Sequence, residues 1–420
     1  MKIIENPNIN EWKDLTKRSL DSDIAVMERV KNILSSVRTG GDTALIRFAK
    51  EFDGRMHSPD TIQVSIPRRQ VLSTFVTQET LQALQTAKRN IKLFHSKQGL
   101  VPYETSTSTG ITCSRKVYPL DTVGLYIPGG RAPLCSTVLM LAIPAILAKV
   151  PNIYVCTPEL HPAVAAACRV CGIDRIFEIG GAQAIGAMAY GTATIPKADK
   201  IFGPGNRFVT FAKQLVAKEG VAIDMPAGPS EVLVIADHPT KPAWVAADLL
   251  SQAEHGPDSL AVLVTSSKGY AEAVSAEFFA QLVKLPRKDA ISVDRCFSIV
   301  FEQKEGARDF AQYFAPEHLI ISGWEEDYFL ENISNAGSVF VGPYTPEVLG
   351  DYASGTNHTL PTSGFSRSWS GVTVESFQRS VTVQRASKEG FERIASTVTT
   401  LAKVEGLDAH ANAVSIRLRG

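Results

Sequence analysis

The segment 350–362 (GDYASGTNHTLPT) contains Asp351 and His358, two side chains that can bind a metal ion or transfer a proton. Its weak apolar periodicity and its glycines predict a loop rather than a helix or a buried strand. Loops that carry acids and histidines on a rigid scaffold are frequent in active sites. This segment is therefore the first candidate for a part of an active site.

A second polar segment contains Gln252 and His255, three residues apart at the end of a predicted helix. This spacing places both side chains on one helix face, where an amide oxygen and an imidazole could bind a metal ion. A histidine at a helix carboxyl end also interacts favourably with the helix dipole, so a structural role is open. Together with Asp351, His358 and His410, the two predict a mixed nitrogen and oxygen site for Zn²⁺ or a similar ion.

Glu317 and His318 are adjacent at the start of a predicted strand, directly after Pro316. Neighbouring side chains of an extended chain point in opposite directions, so the two could act on one atom only if the backbone turned. Histidine is the commonest general base, and a carboxylate can activate water. The alternative is an acid–base pair on the surface.

The composition excludes several classes of partner. The chain has 420 residues with 43 basic and 43 acidic side chains, so it presents no net field that would attract nucleic acid or an acidic membrane. The apolar run 138–148 is too short to span a bilayer, and the first residues lack a signal-peptide pattern. Six cysteines without a regular framework suit the cytoplasm, and Cys168 and Cys171 are predicted to be a buried helical pair. A small polar substrate is expected.

Strands that alternate with helices from Val123 to Val341 must position these groups. They predict an α/β fold of two Rossmann-like domains with parallel sheets and helices on both faces, plus small helical extensions at both ends. Residues 21–121 and the region from about Val372 are predicted to be mainly helical. The predicted units are an N-terminal extension (1–20), a discontinuous first α/β domain (21–122 and 230–371), a second domain on the NAD side (123–229) and a C-terminal helical dimerisation tail (372–420).

Three glycine-rich turns follow strands of the second predicted domain, at 128–130, 180–183 and 203–206. Each precedes a helix, and helix N-termini at strand ends can hold an anion such as a pyrophosphate. The turn at 203–206 satisfies G-x-G, but Phe208 stands where the dinucleotide fingerprint requires its last glycine. Nucleotide binding is therefore only weakly indicated by the turns themselves.

The segments that carry these features resemble, in the same order, those of the histidinol dehydrogenase family. The likeness extends from about residue 33 to 418 and rests on these segments: 123–130, 180–185, 200–206, 224–234, 248–258, 316–319 and 350–362. It implies a cytoplasmic, zinc-dependent NAD⁺ oxidoreductase of histidine biosynthesis. Such an enzyme oxidises L-histidinol through L-histidinaldehyde to L-histidine, a four-electron reaction that uses two NAD⁺.

The resemblance also implies roles for individual residues. The zinc ligands would be Gln252, His255, Asp351 and His410, with His410 contributed by the partner subunit of a homodimer. The residues that contact the substrate, which include the ligands, would be Ser230, Gln252, His255, His318, Asp351, His358, Glu405 and His410. The residues that contact NAD⁺ would be Tyr126, Gln183 and Asn206. Glu317 and His318 would be the catalytic pair, with His318 as the base and Glu317 activating water.

Arg131 departs from the family pattern, which has Thr or Ser more often at this position. At this position the chain resembles relatives that oxidise other small polar alcohols, including sulfonated ones. A dehydrogenase of such an alcohol is therefore the alternative function. Glu405 suits the cationic amine of histidinol and would repel a sulfonate. A zinc hydrolase would leave the glycine-rich turns unexplained, and a non-catalytic binding module would leave Glu317 and His318 unexplained.

Overall fold

The computed structural model describes residues 1–18, 24–65, 75–129, 133–226 and 228–419. The strands in these ranges are β1 (Lys2–Glu5), β2 (Gln63–Ser65), β3 (Tyr103–Ser108), β4 (Ile111–Pro119), β5 (Thr122–Tyr126), β6 (Asn152–Cys156), β7 (Arg175–Phe177), β8 (Lys200–Phe202), β9 (Ala222–Ile223), β10 (Glu231–Ala236), β11 (Leu260–Thr265), β12 (Cys296–Val300), β13 (His318–Ser322), β14 (Ser338–Val341) and β15 (Gln378–Ala386). The α-helices are α1 (Ile9–Leu15), α2 (Ile24–Asp53), α3 (Pro59–Ile62), α4 (Gln78–His95), α5 (Cys135–Leu147), α6 (Pro162–Cys171), α7 (Gly181–Tyr190), α8 (Arg207–Lys218), α9 (Pro242–Ala253), α10 (Lys268–Leu282), α11 (Lys304–Phe314), α12 (Glu326–Asn332), α13 (Glu347–Tyr352), α14 (Lys388–Val404) and α15 (Asp408–Leu418).

The first sheet has the strand order β1-β12-β11-β10-β13-β14, and all its neighbouring strands are parallel. Every residue of β10, β11, β12 and β13 is buried, because helices cover both faces of the sheet. Helices α9 and α10 pack on one face, and α1, α11 and α12 pack on the other. Strand β10 lies in the middle and holds β13 in register through pairs such as Val232 with His318.

The second sheet has the order β2-β7-β6-β5-β8-β9 and is parallel except for β2, which is antiparallel to β7. Helices α4, α5 and α6 cover one face, and α2, α7 and α8 cover the other. Helix α5 is apolar on all sides and almost wholly buried, as expected for a helix inside the protein. A smaller antiparallel sheet, β15-β4-β3, lies beside these two, and α14 packs on β15 and on α15.

The predicted fold class is confirmed, but the chain is divided differently from the prediction. Strand β1 belongs to the first sheet, because it pairs with β12, and does not form a separate extension. Helices α2 and α4 pack on the second sheet, although the prediction assigned 21–122 to the first domain. The close approach of Leu34 to Gly186 explains this packing, because a glycine in α7 leaves room for the side chains of α2.

The region after Val372 is mainly helical, as predicted, and it also contains β15, which pairs along its length with β4. One local prediction was wrong. Asp351 lies in the short helix α13 and not in a loop, because this helix begins upstream of Gly350, at Glu347, and only the rest of the segment is irregular. Cys168 and Cys171 are buried in α6, as predicted. No helix of the described residues is long and apolar enough to cross a membrane.

Candidate active site

The amino-terminal edge of the first sheet gathers the predicted acid, base and hydroxyl groups. Ser230 directly precedes β10, Glu317 directly precedes β13, and His318 is the first residue of β13. A backbone turn comes just before this pair, because Ala315 ends α11 in the left-handed region with φ 49°. Parallel strands begin at the same edge of a sheet, so residues distant in sequence lie together here.

Glu317 and His318 form a buried pair. The Nδ1 atom of His318 lies 3.9 Å from Oε2 of Glu317, and the same carboxylate oxygen accepts a hydrogen bond of 3.0 Å from the N–H of Glu231. The preceding turn allows both side chains to point inwards. The backbone bend that Glu317 and His318 need in order to act on one atom is therefore present. A buried acid beside a buried imidazole is suited to proton transfer.

Helix α13 brings two further carboxylates to His318. Oδ1 of Asp351 lies 3.4 Å from Nε2 of His318, and Oε2 of Glu347 lies 3.9 Å from Nδ1. The two acids are four residues apart and share one face of the helix. Glu347 was not recognised in the sequence, because it precedes the polar segment 350–362. Its spacing of four residues from Asp351 could have identified it.

Gln252, in the last turn of α9, is fully buried against Glu347 and Glu231. With its amide nitrogen towards Glu347, it donates hydrogen bonds of 3.2 and 3.1 Å to that carboxylate and accepts one of 3.1 Å from the N–H of Glu231. The hydroxyl of Ser251 donates a further bond of 2.9 Å to Glu347. This network fixes the end of α9 relative to α13.

The charges of this cluster strongly affect proton binding. Burial raises the pKa of Glu317 and of Glu347, each to about 8, although the nearby His318 opposes both shifts. Burial also disfavours the charged imidazole of His318, but the carboxylates of Glu317, Asp351 and Glu347 outweigh it and raise the pKa of His318. For Asp351, burial is outweighed by His318, so the pKa of this carboxyl is lowered. Perturbed groups of this kind are concentrated at functional sites.

His255 and His358 lie at the border of the cluster. The Nδ1 atom of His255 lies 3.4 Å from Oγ of Ser230. His358 contacts the carbonyl oxygen of Asp351 through Nδ1 at 2.8 Å, and Oγ1 of Thr137 through Nε2 at 3.1 Å. Thr137 lies in the first turn of α5, so His358 connects this edge of the first sheet with a helix of the second sheet. The structure thus places His358 beside Asp351, as the sequence predicted.

The residues predicted to contact NAD⁺ lie at the carboxyl ends of strands in the second sheet. Tyr126 ends β5, and its hydroxyl accepts a hydrogen bond of 3.0 Å from the N–H of Gly181, at the start of α7. Gln183 is buried in the first turn of α7. Asn206 caps α8, and its side chain accepts hydrogen bonds from the N–H groups of Phe208 and Val209. The glycine-rich turns therefore lead into helix N-termini, as predicted.

Two predicted residues stand apart from this cluster in the single chain. Glu405 ends α14, and His410 lies in the first turn of α15; both are exposed. Neither forms a hydrogen bond or an ion pair with the other predicted site residues. Arg131 lies outside the described residues. Among the described residues of one chain, no three His, Cys, Asp or Glu side chains come together as a metal site.

A buried acid–base pair, linked through Asp351 and His358 to Thr137 of a helix on the second parallel sheet, is an arrangement typical of an enzyme active site at the junction of two α/β domains. Comparison with known proteins agrees. The sequence model of histidinol dehydrogenase matches residues 16–418. Histidinol dehydrogenase of Bacteroides thetaiotaomicron is 46% identical over 100% of this chain and 99% of its own length. That of Xylella fastidiosa (strain Temecula1) is 47% identical over 100% and 99%.

A solved structure has the same fold. The crystal structure of histidinol dehydrogenase from Elizabethkingia anophelis superposes with a TM-score of 0.94 at 44% identity, over 100% of this chain and 98% of that one. The chain belongs to the histidinol dehydrogenase family and is an NAD-dependent oxidoreductase.

Proposed function

We propose that this enzyme oxidises L-histidinol to L-histidine through L-histidinaldehyde, with two NAD⁺ per turnover, as a step of cytoplasmic histidine biosynthesis. The observation that carries the proposal is the buried pair of Glu317 and His318, joined by Asp351, at the edge that meets the second sheet. Family membership supports the substrate and the cofactor. An alcohol-to-acid oxidation needs a base for the hydroxyl proton and an activator of water for the aldehyde, and the pair supplies both.

His318 removes the hydroxyl proton in each oxidation, and Glu317 takes a proton from the water that hydrates the aldehyde. NAD⁺, held near Tyr126, Gln183 and Asn206, would supply the hydride acceptor when bound. His318 must be neutral to act as the base, while three carboxylates favour its protonated form. If Asp351 bound a metal ion, the metal would neutralise the charge of this carboxylate. Asp351 would then favour the protonated form of His318 less strongly. The acid–base pair would then contribute about 10²–10⁴-fold to the rate.

The donor set at this edge fits Zn²⁺. Gln252, His255 and Asp351 offer an amide oxygen, an imidazole and a carboxylate, which suit a borderline metal ion with open coordination positions. His410 of the partner subunit would be the fourth ligand. One chain would supply three of the four ligands, of which only His255 and Asp351 carry an imidazole or a carboxylate. A second subunit would complete the set. Bound zinc would hold the imidazole and amine of the substrate and so orient it.

A substitution of His255 tests the zinc site. We expect purified His255→Asn to contain far less zinc than the wild type and to lose activity, while its circular dichroism and melting temperature stay close to those of the wild type. His161→Asn is the matched control, because His161 is an exposed cap of α6 and asparagine can also cap a helix. Full activity of His255→Asn without metal would refute the role of zinc.

The surface of the C-terminal helices supports a homodimer. Leu401, Val404, Ile416 and Leu418 are large apolar residues of α14 and α15, and all are more than half exposed in the single chain. Apolar helix faces of this kind are usually covered in an assembly. We propose that a partner subunit covers them, and that Glu405 and His410 reach the active site of that partner. Glu405 would meet the cationic amine of histidinol.

Subunit complementation tests this sharing of sites. His410→Ala and His255→Ala homodimers should each be inactive, whereas dissociation and reassociation of a mixture should restore one intact site in each mixed dimer. Size-exclusion chromatography checks that each variant still dimerises. If the reassociated mixture stays inactive although mixed dimers form, each site takes all its ligands from one chain.

The decisive experiment for the reaction is the formation of NADH. The zinc-loaded enzyme, given histidinol and NAD⁺, should increase the absorbance of reduced nicotinamide, with two NADH formed for each histidine. Other small polar alcohols, including sulfonated ones, should give much lower kcat/KM. Activity with one of those alcohols and none with histidinol would overturn the proposed substrate and favour the alternative dehydrogenase.

A further inference from the structure

A buried ion pair lies beneath the glycine-rich turn that follows β8. Lys213 of α8 pairs with Asp224, which directly follows β9, and their side chains are only 5% and 1% exposed. Removal of two charges from water costs several kcal/mol for each ion, which only good geometry and further hydrogen bonds can offset. The hydrogen bonds that Lys213 and Asp224 form with other groups therefore indicate the role of the pair.

Those bonds converge on Gly203. The ammonium of Lys213 donates a hydrogen bond of 2.9 Å to the carbonyl oxygen of Gly203. Oδ2 of Asp224 accepts one of 2.8 Å from the N–H of Gly203, and Oδ1 accepts one of 2.7 Å from the N–H of Met225. Both backbone polar groups of Gly203 are thus held by the pair. Gly203 has φ 126°, and a Cβ there would collide with the carbonyl oxygen of Tyr126.

The pair lies between two parts of the active site. Gly203 opens the turn 203–206, which ends at Asn206, the cap of α8. Asp224 opens the segment that leads to Ser230, which lies beside His255. The charged contact therefore fixes the start of the turn on the proposed cofactor side, whereas Ser230 lies several residues beyond Asp224 and has its own contact with His255.

We propose that Lys213 and Asp224 are positioning residues that hold the turn 203–206 in the shape that binds NAD⁺, an inference that rests on the proposed function. Neither side chain needs to touch the dinucleotide. Loss of the pair should weaken NAD⁺ binding, because the turn must then be ordered at the moment of binding. The KM for histidinol should change little, since Gln252 and Asp351 are held by contacts with Glu347 and His318 that do not involve the pair.

The first sheet offers a matched control. Asp237 directly follows β10, is as buried as Asp224, and accepts hydrogen bonds from the N–H groups of His238 and Ser266. Ser266 begins the turn after the neighbouring strand β11, just as Gly203 begins the turn after β8. Asp237→Asn should therefore disturb a comparable loop anchor away from the proposed cofactor turns.

The experiment compares Lys213→Met, Asp224→Asn, the double variant and Asp237→Asn in the zinc-loaded enzyme. Calorimetric titration with NAD⁺ gives Kd, steady-state kinetics give kcat and both KM values, and thermal unfolding gives Tm. We expect each single variant at the pair to weaken NAD⁺ binding by about 10-fold or more, with the KM for histidinol within about 2-fold. Asp237→Asn should lower Tm and leave the Kd of NAD⁺ unchanged.

The double variant separates positioning from stability. It leaves no unpaired buried charge, so its Tm should recover relative to the single variants, whereas its NAD⁺ affinity should stay low. If affinity recovers together with Tm, or if Lys213→Met binds NAD⁺ as the wild type does, the pair is only structural and the inference is overturned. A wild type that binds NAD⁺ but does not oxidise histidinol would overturn the proposed reaction instead, and the titration would still decide the role of the pair.

Discussion

The residues predicted for the active site lie at opposite ends of the strands in the two parallel sheets. In the second sheet, Tyr126 and Asn206 lie at carboxyl ends of strands, where open α/β sheets usually bind ligands. In the first sheet, Ser230, Glu317 and His318 lie at amino ends. We infer that the difference separates two tasks, because glycine-rich turns at helix N-termini suit a large anionic cofactor, whereas proton transfer needs side chains in a fixed geometry.

Rigidity is obtained differently at the two edges. His318 is itself a strand residue, paired in register with Val232 on one side and Ser338 on the other, so the sheet fixes its backbone. Gly203 lies beyond the end of β8 and depends on side chains, among them Lys213 and Asp224, to hold its peptide groups. Substitutions at the two edges should therefore have different kinetic signatures.

The largest effect is expected at the catalytic edge. His318→Asn should lower kcat by about 10²–10⁴-fold for both oxidations, because the base is lost, while the Kd of NAD⁺ stays close to that of the wild type. Glu317→Gln should slow the oxidation of supplied histidinaldehyde more than that of histidinol. Stopped-flow measurement of NADH formation from each substrate checks this. Equal slowing of the two steps by Glu317→Gln would contradict the division of labour.

A matched pair of glycines tests the comparison at the carboxyl ends. Gly203 and Gly323 each come directly after a strand, and each has a positive φ. An added Cβ would collide with the carbonyl oxygen of Tyr126 at Gly203 and with that of Asp237 at Gly323. Each change to alanine should lower the free energy of unfolding by roughly 1–3 kcal/mol, measured in urea. Only Gly203→Ala should also raise the KM for NAD⁺. A similar rise in Gly323→Ala would show that cofactor binding responds to general destabilisation.

The smallest effect concerns the pH dependence of stability. Burial raises the pKa of Asp248, on α9, to about 7 from an ordinary value of 3.8. The folded state therefore holds a proton that the unfolded state has lost, and the stability from this group falls as the pH rises from about 4 to 7. Asp248→Asn should be more stable than the wild type at pH 8, by about 1–3 kcal/mol, and should lose the advantage near pH 4.

Thermal unfolding of Asp248→Asn and the wild type across this pH range provides the measurement. Asp258→Asn serves as the control, because Asp258 is an exposed residue beyond the same helix. An unchanged difference in stability between pH 4 and pH 8 would contradict a buried, protonated Asp248.

The sequence predicted the fold most accurately for strands of sheets that are buried on both faces. After Glu231, strand β10 is a continuous apolar run, and such runs together with intervening helices predicted both sheets. Strands β3 and β15 were missed because they are polar and largely exposed, and each is stabilised by pairing with β4 rather than by a local pattern.

The same limit applied to the candidate site. Glu317, His318 and Asp351 were predicted because each lies in a short segment with an unusual composition. Glu347 and Lys213 were missed, because a buried charge is recognisable only through its partners, and those partners are distant in sequence. The arrangement of Glu405 and His410 in a dimer remains a prediction, since it depends on a second chain.

The pairing of β1 with β12 has a consequence for biosynthesis of the protein. Lys2 pairs with Phe297, so β1 leaves the ribosome long before its neighbour in the sheet has been made. Strands β5 to β9 follow one another within residues 122–223, and so the second sheet can assemble while synthesis continues. The sheet with the proposed cofactor turns is thus ready early, and the sheet that carries Glu317 and His318 is completed last.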